Sequence, residues 1–162
     1  MSKGAIPAAL TDLGVEPGLV GFIGKMLNSR IIEAELGESV LRRLVSRGTP
    51  QGGVLSPFLW NAVVNKLLLI LESVGCKVIA YADDVVIAVS GKFVSTLRDL
   101  IQNALDILSR WAGKCGLGVN PDKTQLILFT RKHRIPQLSP ITLKGEALVI
   151  SEETKYLGLN ID

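Results

Sequence analysis

Histidine is nearly absent from this chain: His133 is the only one in 162 residues. A zinc site is therefore not expected, and a Ser-His-Asp triad has a single candidate base. Cysteine is almost as scarce. Cys76 and Cys115 are too few for a disulfide framework, so the expectation is reduced thiols in an intracellular setting, cytoplasm and nucleus. No apolar run approaches the roughly 18 residues that span a bilayer, so no membrane is expected among the partners. Lys3 is followed by no apolar h-region, and no secretory signal is visible. Internal repeats and low-complexity segments are also missing.

What is present is a chain with 48% hydrophobic residues, enough for a real core. A length of this order favours one domain and lets about two-thirds of the unfolded surface be buried. The net charge of +3 and a pI near 9.0 give a mild bias towards polyanions, which many soluble proteins share.

Periodicity and punctuation give an α+β order. Residues 6–13 are expected to be helical, with Gly14 as the stop. A second helix is expected over 17–27, with Pro17 suited to its first turn. Residues 30–36 and 41–45 pair as strands across Gly37-Glu38-Ser39. Arg47 to Gly53 continues neither helix nor strand. Ser56-Pro57 offers an N-cap and a first-turn proline for a helix reaching Ser73, whose nearly all-round apolar surface predicts burial. Lys92 to Cys115 is the clearest amphipathic helix, with Phe93, Leu97, Leu100, Ile101, Leu105, Leu108 and Trp111 on its core face. Arg98, Asp99, Gln102 and Asn103 lie off that face. Gly116 to Gly118 ends it. Strands are expected at 125–129, 147–150 and 156–161. The run Thr130-Arg131-Lys132-His133-Arg134 reads as a solvated loop tip, with contact to a nucleic-acid backbone as the sharper alternative.

The most informative segment is Tyr81-Ala82-Asp83-Asp84. Short β-branched runs flank it, 77–80 and 85–89, and read as buried strands of a hairpin with the Asp pair at its turn. In a continuing strand the two carboxylates would point to opposite faces; in a tight turn both can approach one point. Two such charges beside a buried sheet repel and are costly to desolvate, and a divalent cation removes that cost. Oxygen-only donors suit Mg²⁺. Asp is also a common turn residue because it caps nearby backbone groups, so this pair is weak evidence by itself.

Three other segments change the balance. Gly48-Thr49-Pro50-Gln51-Gly52-Gly53-Val54-Leu55-Ser56-Pro57 joins a glycine-rich loop to a helix N-terminus, which lets a ligand backbone come close and favours anions. Asn120-Pro121-Asp122-Lys123-Thr124 places a lysine just before a strand. Lys155-Tyr156-Leu157-Gly158 is a short strand-turn element. In this order the four segments resemble the reverse transcriptase family, most closely its non-LTR (LINE-type) retrotransposon branch. The Pro-Gln-Gly segment matches motif B and Tyr81-Ala82-Asp83-Asp84 matches catalytic motif C, with Ala82 where retroviral enzymes usually carry Met. The Asp122-Lys123 segment matches motif D, and Tyr156-Leu157-Gly158 looks like motif E, the primer grip.

The resemblance implies an RNA-directed DNA polymerase with Mg²⁺ or Mn²⁺ as cofactor. RNA template, DNA primer and deoxynucleoside triphosphates would be its partners. Asp83 would be the principal metal ligand and Asp84 an auxiliary one. Lys123 would act near the phosphates, as charge stabiliser or proton donor. Pro50, Gln51 and Gly52 would shape the template and nucleotide pocket, Tyr81 and Ala82 would lie near the primer end, and Tyr156, Leu157 and Gly158 would grip the primer. Arg42, Arg43 and Arg47 either meet the nucleic-acid backbone or lie on a solvated ribbon face. The implied fold is a partial polymerase palm over 1–162, an antiparallel sheet whose catalytic hairpin packs on helices. The family's motif A Asp has no counterpart here, and Asp12 and Glu16 are poor substitutes. Fingers and thumb are missing too, so the chain is expected to be inactive alone. The alternatives are a degenerate retroelement remnant that binds nucleic acid weakly, or a group II intron-type maturase relative.

Overall fold

In the computed structural model, residues 1–45, 47–130 and 139–161 are described. The basic run 131–134, with His133, lies outside them. Among the described residues four α-helices, one 3-10 turn and ten short strands follow one another in a mixed α+β order.

Helix α1 (Ala5–Asp12) ends before Gly14, whose φ of +74° lets the chain turn without penalty. Helix α2 (Pro17–Asn28) starts at Pro17, and the Glu16 carboxylate accepts the Gly18 and Leu19 N–H groups, both at 2.9 Å. Strands β1 (Arg30–Leu36) and β2 (Ser39–Val45) form an antiparallel ribbon with Glu33 opposite Arg42. Helix α3 (Ser56–Ser73) follows the glycine loop. Strands β3 (Lys77–Tyr81) and β4 (Asp84–Ala88) make the expected hairpin. Helix α4 (Val94–Cys115) ends at Gly116, in the left-handed region at φ +63°.

The remaining strands are two or three residues long. They are β5 (Leu126–Ile127), β6 (Ile141–Leu143), β7 (Glu146–Leu148), β8 (Ile150–Ser151), β9 (Thr154–Tyr156) and β10 (Leu159–Ile161).

Two apolar clusters form the core. One holds Ile6, Leu10, Ile23 and Leu27 against Leu59 and Val63. The other holds Leu67, Leu71, Cys76, Ala104, Leu105, Leu108, Ile141 and Leu143. Helix α3 feeds both, its early turns one and its later turns the other, and half-buried Trp111 packs against each.

Several expectations need correction. Ser56 is not the N-cap of α3; Leu55 holds that position without a side-chain cap, and Ser56 instead bonds back to the loop. Helix α3 is not buried all round: Phe58 and Leu69 are more than half exposed, because neighbours cover only part of its circumference. Phe93 lies just outside α4 and is exposed, while Val94, Ala104, Ile107 and Ala112 complete the buried face.

The hairpin strands are half-buried rather than buried. The expected strand at 125–129 pairs only over Leu126–Ile127, and parallel to β8. The expected strand at 147–150 divides between β7 and β8, and that at 156–161 is the hairpin β9–β10. No single antiparallel sheet exists among the described residues; there are five two-stranded ladders.

The chain exposes 11582 Å², against about 7,900 Å² for a compact monomer of this mass. It buries only about half of its unfolded surface rather than the two-thirds its length allows. Exposed apolar side chains contribute to the excess, among them Ile31, Ile32, Leu36, Val40, Leu41 and Leu44 of the β1–β2 ribbon.

Candidate active site

The Asp pair sits at the tip of β3–β4. Tyr81 pairs with Asp84, leaving Ala82 and Asp83 as the two turn residues. Val78 and Ile87 face the second core cluster, so one side of the hairpin is fixed on it. On the other side Ile79, Tyr81 and Asp84 share one surface and are exposed. Asp83 and Asp84 are also exposed, so the desolvation cost expected of a buried pair does not arise here. Their mutual repulsion remains, moderated by water.

Ala82 is strained. Its φ is +51°, a region disfavoured by any residue with a Cβ. Its carbonyl accepts the Trp60 indole N–H at 2.6 Å. Trp60 lies on α3, one turn beyond Ser56, and was missed in the sequence because nothing in the helix pattern distinguishes it from a core aromatic.

The glycine loop is braced at both ends. The Pro50 carbonyl accepts the Gly53 N–H at 3.1 Å and the Ser56 hydroxyl at 2.5 Å. This tight turn has Gln51 exposed at its corner and Gly52 at φ +78°. A Cβ on Gly53 would lie 2.8 Å from the Ser56 hydroxyl and would displace it from the Pro50 carbonyl. At the other end Arg30 donates to the carbonyls of Leu27 at 2.9 Å, Arg47 at 3.1 Å and Gly48 at 2.7 Å. Sequence patterning gave no sign of that role for Arg30.

Lys123 ends a single 3-10 turn, Pro121–Lys123, capped by the Asn120 side chain accepting the Asp122 N–H at 3.0 Å. Its ammonium is exposed and in no ion pair among the described residues. Tyr156, Leu157 and Gly158 form the β9–β10 corner, with Leu157 at φ +48° and Gly158 at φ +87°. The Tyr156 hydroxyl is buried without a partner among the described residues.

The structure therefore links the four segments as two pairs. The Pro-Gln-Gly helix reaches the Asp turn through Trp60. The Lys123 segment reaches the Tyr156 strand through the Thr154 hydroxyl, which bonds to Gln125. Among the described residues, no hydrogen bond or ion pair joins Asp83 or Asp84 to Lys123 or Tyr156.

Among the same residues no group of three His, Cys, Asp or Glu side chains gathers to hold a metal. Asp12 is engaged by Lys66 at 2.5 Å and Glu16 by its helix cap, so neither supplements the pair. Glu16 titrates below its ordinary value because the Gly18 and Leu19 N–H groups bond to its ionised form. Burial raises both thiols, and both cysteines are unpaired. Arg42 pairs with Glu33 on one ribbon face, while Arg43 stands opposite Ile32 on the other.

Two adjacent, water-exposed carboxylates on a fixed turn, tied to the first helix after a glycine loop, make an α+β domain with hard-oxygen donors beside an anion-favouring helix end. The chain belongs to the reverse transcriptase (RNA-dependent DNA polymerase) family, whose model matches residues 8–161. It is 33% identical over 121 residues to the retrovirus-related Pol polyprotein from type-1 retrotransposable element R1 of Bradysia coprophila, covering 74% of this chain and 12% of that protein. The probable RNA-directed DNA polymerase from transposon BS of Drosophila melanogaster is 31% identical over 125 residues, covering 74% and 14%. The RNA-directed DNA polymerase from mobile element jockey of Drosophila funebris is 30% identical over 125 residues, covering 74% and 13%. The chain thus spans about an eighth of these relatives. No solved structure matches. No helix of the described residues is long and apolar enough to cross a membrane.

Proposed function

We propose that this chain is part of the palm of a non-LTR retrotransposon RNA-directed DNA polymerase, with Asp83 and Asp84 as its cation ligands. The observation that carries this reading is the fixed hairpin tip. Two exposed carboxylates stand on a turn anchored from below by Val78 and Ile87 and from the side by Trp60, within a match to the polymerase family over 8–161.

The donor set suits Mg²⁺ or Mn²⁺ held by one or two carboxylates with water completing the shell. Such an ion, when bound, supplies charge stabilisation to the attacking and leaving oxygens of phosphoryl transfer. Asp83 and Asp84 would contribute the negative charge that holds it. The Gln51–Gly53 turn presents an exposed amide and a glycine corner to template and nucleotide. Lys123, exposed on its capped turn, would provide a mobile positive charge for phosphates. Tyr156 to Gly158 would form the corner facing the primer. The partners are then an RNA template, a DNA primer and deoxynucleoside triphosphates.

Only two carboxylates gather at the turn, and this favours an isolated chain that binds cations weakly and does not extend a primer. The test is a chimaera in which residues 8–161 replace the matching segment of the jockey polymerase. Primer extension on an RNA template by the chimaera, falling at least about 10²-fold with Asp83→Ala, is expected. Extension indifferent to Asp83→Ala would end the assignment.

A further inference from the structure

Among the described residues all four hairpin corners hold a left-handed residue and three of them include a glycine; in two of those three a non-glycine left-handed residue precedes it, Lys144 at φ +53° and Leu157 at φ +48°. The β1–β2 corner has Gly37 at φ +60°, the β6–β7 corner has Gly145 at φ +86°, and the β9–β10 corner has Gly158 at φ +87°. The β3–β4 corner, Ala82-Asp83, has no glycine, yet Ala82 is held at φ +51°. Local preference therefore opposes this turn. It is also the corner whose carbonyl is held by a side chain from a separate helix: Trp60 Nε1 donates to the Ala82 oxygen at 2.6 Å. Among the described residues the other three corners have no such bond to their carbonyls.

The held atom matters. The Ala82 carbonyl belongs to the planar peptide that joins Ala82 to Asp83. Fixing that oxygen fixes the peptide plane, which sets the direction in which the Asp83 backbone, and with it the carboxylate, leaves the turn. Trp60 is itself anchored on α3 one turn beyond Ser56, whose hydroxyl is tied to the Pro50 carbonyl at 2.5 Å.

We propose that Trp60 is a positioning residue for the Asp83 carboxylate: its indole N–H holds the strained Ala82–Asp83 peptide and couples it to the Pro-Gln-Gly loop. This rests on the reading that Asp83 and Asp84 bind a divalent cation.

The test is Mn²⁺ binding to the whole chain, followed by calorimetry and by paramagnetic broadening of the Asp83 and Asp84 signals, with thermal unfolding in parallel. Trp60→Phe keeps a ring and removes the donor. It should weaken Mn²⁺ binding about three- to tenfold, the size of one hydrogen bond, with the thermal midpoint nearly unchanged. In an Ala82→Gly background, where the turn needs no external hold, Trp60→Phe should have a smaller effect. If Trp60→Phe does not fold, a benzothienyl isostere of tryptophan, with sulfur in place of the N–H, makes the same measurement. Asp83→Ala should abolish binding. Loss with Asp83→Ala but wild-type affinity with Trp60→Phe or the isostere would overturn the role of Trp60 and leave the cation site standing. Wild-type affinity with Asp83→Ala would overturn the cation site itself, and this proposal with it.

Discussion

Two hairpins in this chain are built from similar residues and meet different surroundings. The β1–β2 ribbon carries seven cross-strand pairs and the β3–β4 hairpin five. Both are rich in Ile, Val and Leu. The shorter hairpin lays Val78 and Ile87 on a core made by α3, α4 and β6. The longer one has no residue in either core cluster. A two-stranded hairpin with neither face covered is marginal in water. The ribbon's support comes instead from the Glu33–Arg42 pair and from Arg30 at its base. Strand propensity writes both hairpins, but only burial makes one of them a rigid platform, and it is the platform that carries the carboxylates.

The largest test of that difference is Leu71→Ala. Leu71 is fully buried beneath the β3–β4 hairpin, in the cluster that Val78 and Ile87 join. Its loss should cost about 2–5 kcal/mol, measured by urea unfolding, and should loosen the Asp turn in hydrogen exchange. A cost below about 1 kcal/mol would mean that the hairpin does not depend on this core.

Next in size is Gln102→Ala. The Gln102 amide donates to the Thr142 carbonyl at 3.0 Å and accepts the Thr142 N–H at 2.8 Å, both partly buried. It thus occupies the edge of β6 as a further strand would. Arg98 adds a bond from Nη2 to the Pro140 carbonyl at 3.0 Å. Removing Gln102 leaves both Thr142 backbone groups unpaired, at about 1–3 kcal/mol. Unfolding in urea should register that loss, and an unchanged midpoint would show that water replaces the amide.

These contacts mark where the sequence stopped being readable. The helices and the two hairpins were legible to within one or two residues, because long periodic segments and glycine stops carry them. The order of motifs likewise identified the family. The last third was legible only in outline. Strand β6 has three residues and no period to detect, and the side-chain bonds to its edge come from Arg98 and Gln102, which helix patterning assigns to the polar side. Leu157 occupies a left-handed position that favours glycine, so its corner gave little signal. Trp60 and Arg30 act on carbonyls distant in sequence, and no local pattern encodes a bond between residues 60 and 82.

A smaller effect concerns pH and the helix that precedes the ribbon. Glu16 accepts two backbone N–H bonds at the start of α2, and they hold its acidity constant below the ordinary value of 4.5. A group whose folded pKa is depressed stabilises the fold above its unfolded pKa, and that contribution is lost as pH falls through the folded value. Wild type should therefore be more stable than Glu16→Gln near neutrality. The gap should narrow as pH drops from 4.5 into the lowered range. Parallel thermal midpoints across that window would show that the cap contributes nothing pH-dependent.

The smallest expected effect lies on the ribbon, and it is the sharpest test of the comparison. Ile32, Leu36 and Leu41 share one face of β1–β2 and are each more than half exposed. If nothing covers that face, Ile32→Ala and Leu41→Lys should each change unfolding free energy by less than about 0.5 kcal/mol, as exposed substitutions do. The lysine should also raise solubility, since it interrupts an open apolar strand edge. A cost above about 1.5 kcal/mol would mean that the ribbon is buried in solution and that the two hairpins differ less than their surroundings here indicate. Repeating the urea titration at several protein concentrations decides the matter. Self-association would make the cost grow with concentration, whereas a ribbon exposed in the monomer predicts the same small value throughout.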